Sequence, residues 1–304
     1  MKNNIRENMD EDNELILFDR LEAIKMIYKK YNLENTCYIS FSGGKDSTVL
    51  SNLFDEAIPG NRIPRVYINT GIEYNDMVDY VHSKMKTDDR IIEIKPTKPI
   101  IKVLNEYGYP FKSKEHSRMV YYSNKGSKAP SITDYFEHKG LSKRQVHCPK
   151  KLMYQQHNAP FLISDMCCYK LKKEPVHMWE KQNNRRIRIL GIRTGEGGYR
   201  IIHSGCVVLN KDKSELKVFK PLNPVSKEFE DWYIKSRNIE LCKLYYPPFN
   251  FDRTGCKGCP YALNLQSELD IMKSLLPNEK AQCDIIWKPV YEEYKRIGYR
   301  LKHI

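Results

Sequence analysis

The stretch TCYISFSGGKDSTVLSNLF, from Thr36 to Phe54, decides the fold of this chain of 304 residues. Its first part, Thr36 to Ser42, is rich in residues that favour strands. Two glycines follow, and the remainder spaces its apolar residues as an amphipathic helix does. A strand, a tight glycine turn and a helix in direct succession predict an α/β unit with a binding site at the turn.

Strands and helices continue to alternate after this stretch, with a helical segment at Tyr74–Met85. The runs that read as further strands are Pro64–Asn69, Arg90–Ile94, Arg186–Ile192 and the two arms of a hairpin, Val207–Asn210 and Leu216–Phe219. Alternation of this kind is typical of a parallel sheet covered on both faces. The sequence therefore predicts an α/β fold with a Rossmann-like, doubly wound parallel sheet.

The predicted organisation is a main α/β domain followed by a smaller helical region. The first spans residues 15–224 and includes a polar, basic insertion at residues 111–158. The second, residues 225–304, is mostly helical and ends in a long amphipathic helix predicted over Asn278–Ile297. We expect this second region to contribute a C-x-x-C pair to a metal centre.

Charge and composition narrow the class of protein. Lys and Arg number 51 against 38 Asp and Glu, which gives a formal net charge of +13. This excess suits polyanions such as nucleotides or nucleic acid, and a solubilising basic surface explains it equally well. The first residues are polar and acidic, and no run of about 18 apolar residues is present to span a bilayer. We therefore expect a cytoplasmic protein with no membrane partner.

The segment SGGKDS, Ser42 to Ser47, has the chemistry of a phosphate-binding loop. Gly43 and Gly44 let the backbone approach an anion closely, because no Cβ stands in the way. The helix that follows presents unpaired N–H groups and the positive end of its dipole. Lys45 adds a positive charge, and the two serine hydroxyls can donate to phosphate oxygens. A plain turn with a helix cap is the alternative interpretation.

The segment is not a Walker loop, because Ile39 stands where that motif needs its first glycine and Asp46 follows the lysine. It resembles the SGGKDS signature of the PP-loop ATP pyrophosphatases. The segment NTGIE, Asn69–Glu73, is similar to a strand ending of phosphoadenosine-phosphosulfate reductases, and Gly191–Arg200 resembles their G-x-R-x-x-E-x-x-x-R segment. The likeness covers about residues 36–260.

This resemblance implies a set of site residues around an adenine nucleotide. The implied nucleotide-binding residues are Ser40, Ser42, Gly43, Gly44, Lys45, Asp46, Ser47, Thr70, Gly71, Gly191 and Arg193. The implied catalytic residues are Lys45, Asp46, Arg193 and Arg200. Dedicated phosphoadenosine-phosphosulfate reductases usually lack the loop lysine, so Lys45 favours ATP with Mg²⁺ or another nucleotide that carries a polyphosphate.

Four of the nine cysteines come as close pairs, Cys167 with Cys168 and Cys256 with Cys259. In a reducing compartment such pairs indicate metal binding rather than disulfides. The pairs resemble the Cys-Cys and C-x-x-C motifs of adenylyl-sulfate reductases, and this resemblance implies a 4Fe–4S cluster with these four ligands. A zinc ion uses the same donors, and buried thiols or a redox C-x-x-C are the remaining alternatives.

One feature of the adenylyl-sulfate reductases has no counterpart. Those enzymes carry a catalytic cysteine on a C-terminal tail, and residues 298–304 contain none. Cys283 is the nearest candidate, but its apolar neighbours indicate a core position. Any sulfonucleotide reduction would therefore need an external thiol.

The sequence thus predicts a PP-loop enzyme that binds ATP, cleaves it at the α-phosphate with release of pyrophosphate, and serves sulfur transfer. Its expected partners are an adenine nucleotide and a sulfur donor or thiol reductant. The alternatives are a sulfonucleotide reductase that uses an external thiol, and a non-catalytic module that binds a nucleotide or a nucleic acid.

Nucleic acid is one acceptor that the basic insertion suits. Its cationic side chains could follow phosphates and its tyrosines could stack on bases, whereas a basic lid that only steers ATP is the alternative. The predicted contact residues are Lys112, Lys114, Arg118, Lys125, Lys128, Lys143, Arg144, Lys150, Lys151, Tyr121, Tyr122 and Tyr135.

Overall fold

The computed structural model describes residues 2–143, 145–193 and 205–302. The chain forms two compact units that alternate along the sequence. The first comprises Met1–Asn69, Asn75–Ile94 and Val176–Thr254. The second comprises Thr70–Tyr74, Lys95–Pro175 and Gly255–Ile304. The domain boundary expected between residues 224 and 225 stays a prediction.

The first unit is built on a six-stranded sheet in the order β3–β2–β1–β4–β6–β5. The strands are β1 Cys37–Phe41, β2 Arg65–Ile68, β3 Ile91–Ile94, β4 Ile187–Ile189, β5 Val207–Leu209 and β6 Leu216–Phe219. Neighbouring strands run parallel except β5, which pairs antiparallel with β6 at one edge. The predicted Rossmann-like sheet and its hairpin are confirmed.

Both faces of the sheet are buried within this unit, because side chains alternate along β1. Ile39 belongs to a large apolar core that includes Phe54 from the helix after the glycine turn. Tyr38 points to the opposite face, where its ring meets that of Trp179 edge-on with 5.3 Å between centroids. Val66 completes this second, smaller core. A strand buried on both faces is typical of parallel sheets.

Helices make up most of the remainder. Those of the first unit are Lys2–Tyr31, Leu33–Thr36, Lys45–Ala57, Asn75–Met85, Glu174–Asn183 (from Val176) and Lys227–Ser236, with a 3₁₀ turn at Lys243–Tyr245. Those of the second are Ile100–Tyr107, Lys114–Asn124, Pro130–Glu137, Gln155–Asn158, Met166–Cys168, Leu265–Leu275, Pro277–Ile286 and Lys288–Arg296, with a 3₁₀ turn at Lys150–Leu152 and a π-helical turn at Tyr169–Lys173. Among the described residues, no helix is both long and apolar enough to cross a membrane.

The prediction of one long helix over 278–297 is wrong. The structure has two helices there, and Trp287 lies between Pro277–Ile286 and Lys288–Arg296. Pro289 occupies the first turn of the second helix. A proline there has no N–H to donate and disfavours helical continuation, so the earlier helix ends before it. Cys283 is fully buried, as its apolar neighbours predicted.

Candidate active site and cysteine centre

The predicted phosphate loop follows β1, at the point where the strand order of the sheet reverses. Gly43 has a φ of +73°, and Gly44 is the residue that precedes the helix Lys45–Ala57. A Cβ on Gly43 would lie 2.6 Å from Val81 Cγ2, closer than atoms can pack. Both its backbone conformation and its neighbours therefore require glycine at position 43.

Gly191 makes a second close backbone approach, from the segment after β4. A Cβ there would lie 2.8 Å from the carbonyl oxygen of Asp46. The absence of a side chain lets this segment pass directly beside the first turn of the helix. Two residues further on, Arg193 Nε lies 3.1 Å from Asp46 Oδ1. The glycine thus places the guanidinium at the loop.

Hydroxyl groups are the hydrogen-bond partners of several backbone groups in the loop. The N–H of Gly44 donates to Ser42 Oγ at 3.3 Å, and that of Lys45 donates to Tyr245 Oη at 3.1 Å. Ser47 Oγ donates to the Gly44 carbonyl at 2.9 Å. A neutral hydroxyl is a weaker acceptor than a charged phosphate oxygen. The loop amides are therefore already oriented, and an anion can replace their present partners.

The Lys45 ammonium is mostly buried and lies between two carboxylates. Its Nζ is 3.3 Å from Glu230 Oε2 and 3.3 Å from Asp231 Oδ1. Burial by itself lowers the pKa of Lys45, but the two carboxylates outweigh it and the pKa is raised. Arg193 Nε lies 3.4 Å from the same Glu230 oxygen. Two cations thus share one buried carboxylate beside the loop.

A cavity of about 550 Å³ opens at these cations. Its lining includes four basic side chains, Lys45, Arg193, Lys227 and Arg253, and three acidic ones, Asp46, Glu228 and Asp252. Small-molecule sites typically enclose roughly 300–1,000 Å³. The size and the excess of cations suit a small phosphorylated molecule.

The sequence interpretation missed Glu230, Asp231 and Tyr245 as members of this site. A signal for the first was present, because Glu230 falls on the apolar stripe of the helix Lys227–Ser236, between the buried Phe229 and Tyr233. A carboxylate on such a stripe needs a buried partner. Tyr245 carried no comparable signal, since its role depends on the path of a turn.

The predicted nucleotide-binding residues are divided between the two units. Those gathered in the first unit are Ser42, Gly43, Gly44, Lys45, Asp46, Ser47, Gly191 and Arg193. Ser40 lies within β1. Thr70 and Gly71 belong to the second unit, where the Thr70 N–H donates to Glu73 Oε2 at 2.9 Å. Arg200 lies outside the described residues. The roles of all these residues stay predictions.

The four paired cysteines all lie in the second unit. Cys167 is buried, and Cys168, Cys256 and Cys259 are half-buried. A hydrogen bond with Cys167 and nearby lysines lower the pKa of Cys168 to about 6. That hydrogen bond, burial and the charges of the other three thiols raise the pKa of Cys167. The four sulfurs are therefore close enough to interact electrostatically.

The C-x-x-C turn is fixed by aromatic side chains of the last two helices. Trp287 Nε1 donates to the carbonyl of Lys257 at 3.1 Å, and Tyr291 Oη donates to that of Gly258 at 2.5 Å. Tyr294 Oη donates to the carbonyl of Pro260 at 2.9 Å. Three backbone carbonyls in and beside the turn therefore have buried donors, which orders the segment.

The chemistry of this donor set fits a thiolate-ligated metal. The Cys256 thiol, as the largest cause, raises the pKa of Lys172 together with the Glu73 carboxylate and the Cys168 thiol, and these outweigh burial, which lowers it. Its positive charge would offset part of the charge of thiolate ligands. However, no three His, Cys, Asp or Glu side chains are grouped to hold a metal ion in residues 2–143, 145–193 and 205–302. The cluster and its four ligands stay a prediction.

Part of the chain that includes the loop matches a known family. Residues 36–128 match the model of the phosphoadenosine phosphosulfate reductase domain. This part of the chain is similar to that domain. The match includes the phosphate loop and extends into the basic insertion, so the predicted family is confirmed over this part of the chain.

A curated relative shares part of the same chain. An uncharacterized protein of Methanocaldococcus jannaschii is 32% identical over an alignment of 103 residues, and the match covers 31% of this chain and 25% of the relative. The chain thus matches about a quarter of the length of that relative.

The chain is also similar to solved structures, with low identities and TM-scores. A phosphoadenylyl-sulfate reductase of Candida auris, in a phosphate complex, has a TM-score of 0.43 and 10% identity, covering 77% of this chain and 87% of its own. An NH₃-dependent NAD synthetase of Campylobacter jejuni has a TM-score of 0.40, 13% identity and coverages of 96% and 99%. The U34-tRNA thiolase of Methanococcus maripaludis, with its 4Fe–4S cluster, has a TM-score of 0.40, 13% identity and coverages of 96% and 80%.

The family match extends into the basic insertion. This insertion contains the helices Lys114–Asn124 and Pro130–Glu137 and is not irregular throughout. The exposed cations among its predicted contacts are Lys114, Arg118, Lys125, Lys128, Lys143, Lys150 and Lys151. Lys125 Nζ lies 4.7 Å from the centroid of the Tyr121 ring, and Tyr122 is exposed. The prediction that Tyr135 stacks on bases is wrong, because its ring is buried and its hydroxyl is paired with His116 Nδ1 at 2.8 Å. Arg144 lies outside the described residues.

We predict that Gly43→Ala destabilises the first unit more than Gly60→Ala does. Both glycines have φ near +74°, at +73° and +75°, but a Cβ on Gly60 meets nothing within 4 Å. The two variants share the backbone strain of about 1–2 kcal/mol, and Gly43→Ala adds an overpacking cost of about 1–3 kcal/mol. Urea unfolding measures the difference. Equal losses of stability would show that the neighbours of Gly43 move aside without cost.

Proposed function

We propose that this chain binds ATP with Mg²⁺ at the Ser42–Ser47 loop and cleaves it between the α- and β-phosphates. The observation that carries the proposal is the placement of Lys45 and Arg193 beside the loop at the 550 Å³ cavity. The oriented amides, the helix dipole and the two cations all favour a polyphosphate over a neutral ligand.

In the proposed reaction an acceptor oxygen attacks the α-phosphorus. The bond from that phosphorus to the bridging oxygen breaks, and its electron pair leaves with pyrophosphate, so the acceptor becomes adenylated. Lys45 and Arg193 would neutralise the charge that develops on the phosphates, which is the main catalytic contribution in phosphoryl-type transfer. Asp46 would orient the Arg193 guanidinium through its contact at 3.1 Å.

Sulfur transfer is the proposed purpose of this activation. A displaced adenylate is a good leaving group, so a sulfur nucleophile can take its place on the acceptor. Cys167, Cys168, Cys256 and Cys259 would hold the 4Fe–4S cluster, which when bound supplies a place to hold or relay sulfur. A sulfonucleotide reductase that uses an external thiol is the second candidate, because the matched family model is named for that activity.

The products distinguish these candidates. Adenylation yields pyrophosphate and an adenylated acceptor, which releases AMP when sulfur or water displaces the adenylate, whereas reduction of a sulfonucleotide yields sulfite. A non-catalytic binding module gives neither product. Anaerobically purified protein incubated with each nucleotide, with and without a dithiol, and analysed by mass spectrometry therefore separates all three.

We predict that Lys45→Ala lowers the rate of pyrophosphate release by about 10²-fold or more, because it removes a cation positioned at the phosphates. The matched control is Lys84→Ala, which removes an ammonium whose Nζ lies 2.7 Å from Glu240 Oε2. It should leave the rate within about twofold. Labelled ATP that yields ADP and orthophosphate would contradict the assignment of the cleaved bond.

We predict that anaerobically prepared protein is brown and contains about four iron atoms per chain. Serine at any one of positions 167, 168, 256 or 259 should remove most of the iron and lower the melting temperature, because metal binding contributes to folding. Matched Cys→Ser changes at Cys37, Cys206 and Cys242 should leave the iron content unchanged. Zinc in place of iron would contradict the prediction of a 4Fe–4S cluster, whereas the prediction of the four cysteine ligands would stand.

A nucleic acid is the acceptor that the exposed cations of the insertion support. We predict that tRNA or single-stranded DNA binds with an affinity that falls with salt at a slope of about −0.7 per phosphate contact. Changing Lys125, Lys128, Lys143 and Lys150 to Ala should weaken binding and flatten the slope. The control changes Lys211, Lys213, Lys235 and Lys273, which are exposed elsewhere, and removes equal charge. Equal losses in both variants would leave a small-molecule acceptor as the better answer.

A further inference from the structure

Glu230 is a buried carboxylate on the edge of the proposed phosphate site. Its helix begins after Ser226, whose Oγ accepts from the N–H of Phe229 at 3.1 Å. Phe229, Glu230 and Tyr233 form the buried side of that helix, and the Glu230 side chain is 0% exposed. Burying a charged carboxylate is costly unless cations and hydrogen bonds compensate it.

The compensation of Glu230 comes from the two cations proposed to bind phosphate. Its Oε2 lies 3.3 Å from Lys45 Nζ and 3.4 Å from Arg193 Nε. Among the described residues, neither oxygen of Glu230 accepts a hydrogen bond of normal geometry. Charge-assisted hydrogen bonds are usually about 2.7–2.9 Å long. The carboxylate is therefore held by charge more than by hydrogen bonding.

Other charged groups surround the same point. Lys45 and Asp46 come from the helix Lys45–Ala57. Asp231 is next to Glu230 on the helix Lys227–Ser236, and its Oδ1 lies 3.3 Å from Lys45 Nζ. Arg193 follows β4, and Arg253 Nη2 lies 3.9 Å from Asp46 Oδ2. Burial and the Asp46 carboxyl raise the pKa of Glu230 to about 7, against the opposite pull of Arg193 and Lys45.

We propose that Glu230 is a positioning residue that stands in for the nucleotide phosphates, and that it takes up a proton when a phosphate binds to Lys45 and Arg193. In the free protein its carboxylate holds both cations at the loop. A bound phosphate neutralises those cations and brings further negative charge, so the carboxylate loses its compensation and is protonated. The inference rests on the proposed ATP function.

The direction of the pH dependence follows from this exchange. Because the phosphate removes the cations that stabilise the charged form, the pKa of Glu230 is higher in the complex than in the free protein. Below about pH 7 Glu230 is protonated in both states and does not affect binding. Above that pH the complex holds one more proton than the free protein, so affinity falls as pH rises, by up to about tenfold per pH unit.

The test is calorimetric titration of the full chain with Mg²⁺ and an ATP analogue that has a methylene between the α- and β-phosphates. Titrations in buffers of different ionisation enthalpy give the number of protons taken up. At pH 8 wild type should take up most of one proton more than Glu230→Gln, whose neutral amide cannot titrate. Glu230→Gln should also bind several-fold more tightly than wild type at pH 8 and equally at pH 6.

Glu240→Gln is the control, because it removes a carboxylate of the same unit that pairs with Lys84 at 2.7 Å, and neither residue lines the cavity. It should behave as wild type. Analogue binding with no extra proton in wild type, or with the same pH dependence in Glu230→Gln, would overturn the role of Glu230. No binding to wild type at any pH would instead overturn the proposed ATP function. Should Glu230→Gln not fold, the pH profile of wild type decides the question: proton uptake should rise from near zero at pH 6 to most of one proton at pH 8, and uptake that stays constant between these pH values would overturn the role of Glu230.

Discussion

The close packing of neighbouring atoms against two glycines at the end of β1 is the constraint on which the proposed site depends. Gly43 and Gly191 are the residues that permit it, since a Cβ on either would meet neighbouring atoms at 2.6 or 2.8 Å. The first lets the loop turn into the helix Lys45–Ala57, and the second brings the segment after β4 beside Asp46. Lys45 and Arg193 are thereby placed by backbone contacts, which fix positions more firmly than flexible side chains do.

Charge compensation is the second constraint. The first constraint brings two cations to the loop, and their charges must then be balanced. Two cations held in a partly buried site repel each other and lose hydration, so the unliganded protein needs anions beside them. Glu230 and Asp231 supply these anions from the helix Lys227–Ser236. The site is consequently ordered without a ligand, and any phosphate that enters it competes with carboxylates already present. Such competition favours ligands with several negative charges over those with one.

The sequence predicted the sheet well because its signals are local. The order of strand, glycine turn and helix around Gly43 is legible within twenty residues, and β-rich runs mark the other strands. The break at Trp287 was missed, although Pro289 marks it, because the apolar periodicity continues across it. Tyr135 was assigned to a surface from composition alone, whereas its pairing with His116 depends on how two helices of the insertion pack. Tertiary packing of this kind leaves no local signal.

The cysteine centre shows the same division between local and non-local structure. Local sequence identifies both pairs, but the distances among their sulfurs depend on segments nearly ninety residues apart, Cys168 and Cys256. The C-x-x-C turn is fixed, since Trp287, Tyr291 and Tyr294 donate to its backbone carbonyls. The Cys167–Cys168 pair instead lies directly before a π-helical turn, a rare backbone form that often accompanies functional sites. Whether the four sulfurs reach one small centre therefore depends on the segment that carries Cys167 and Cys168.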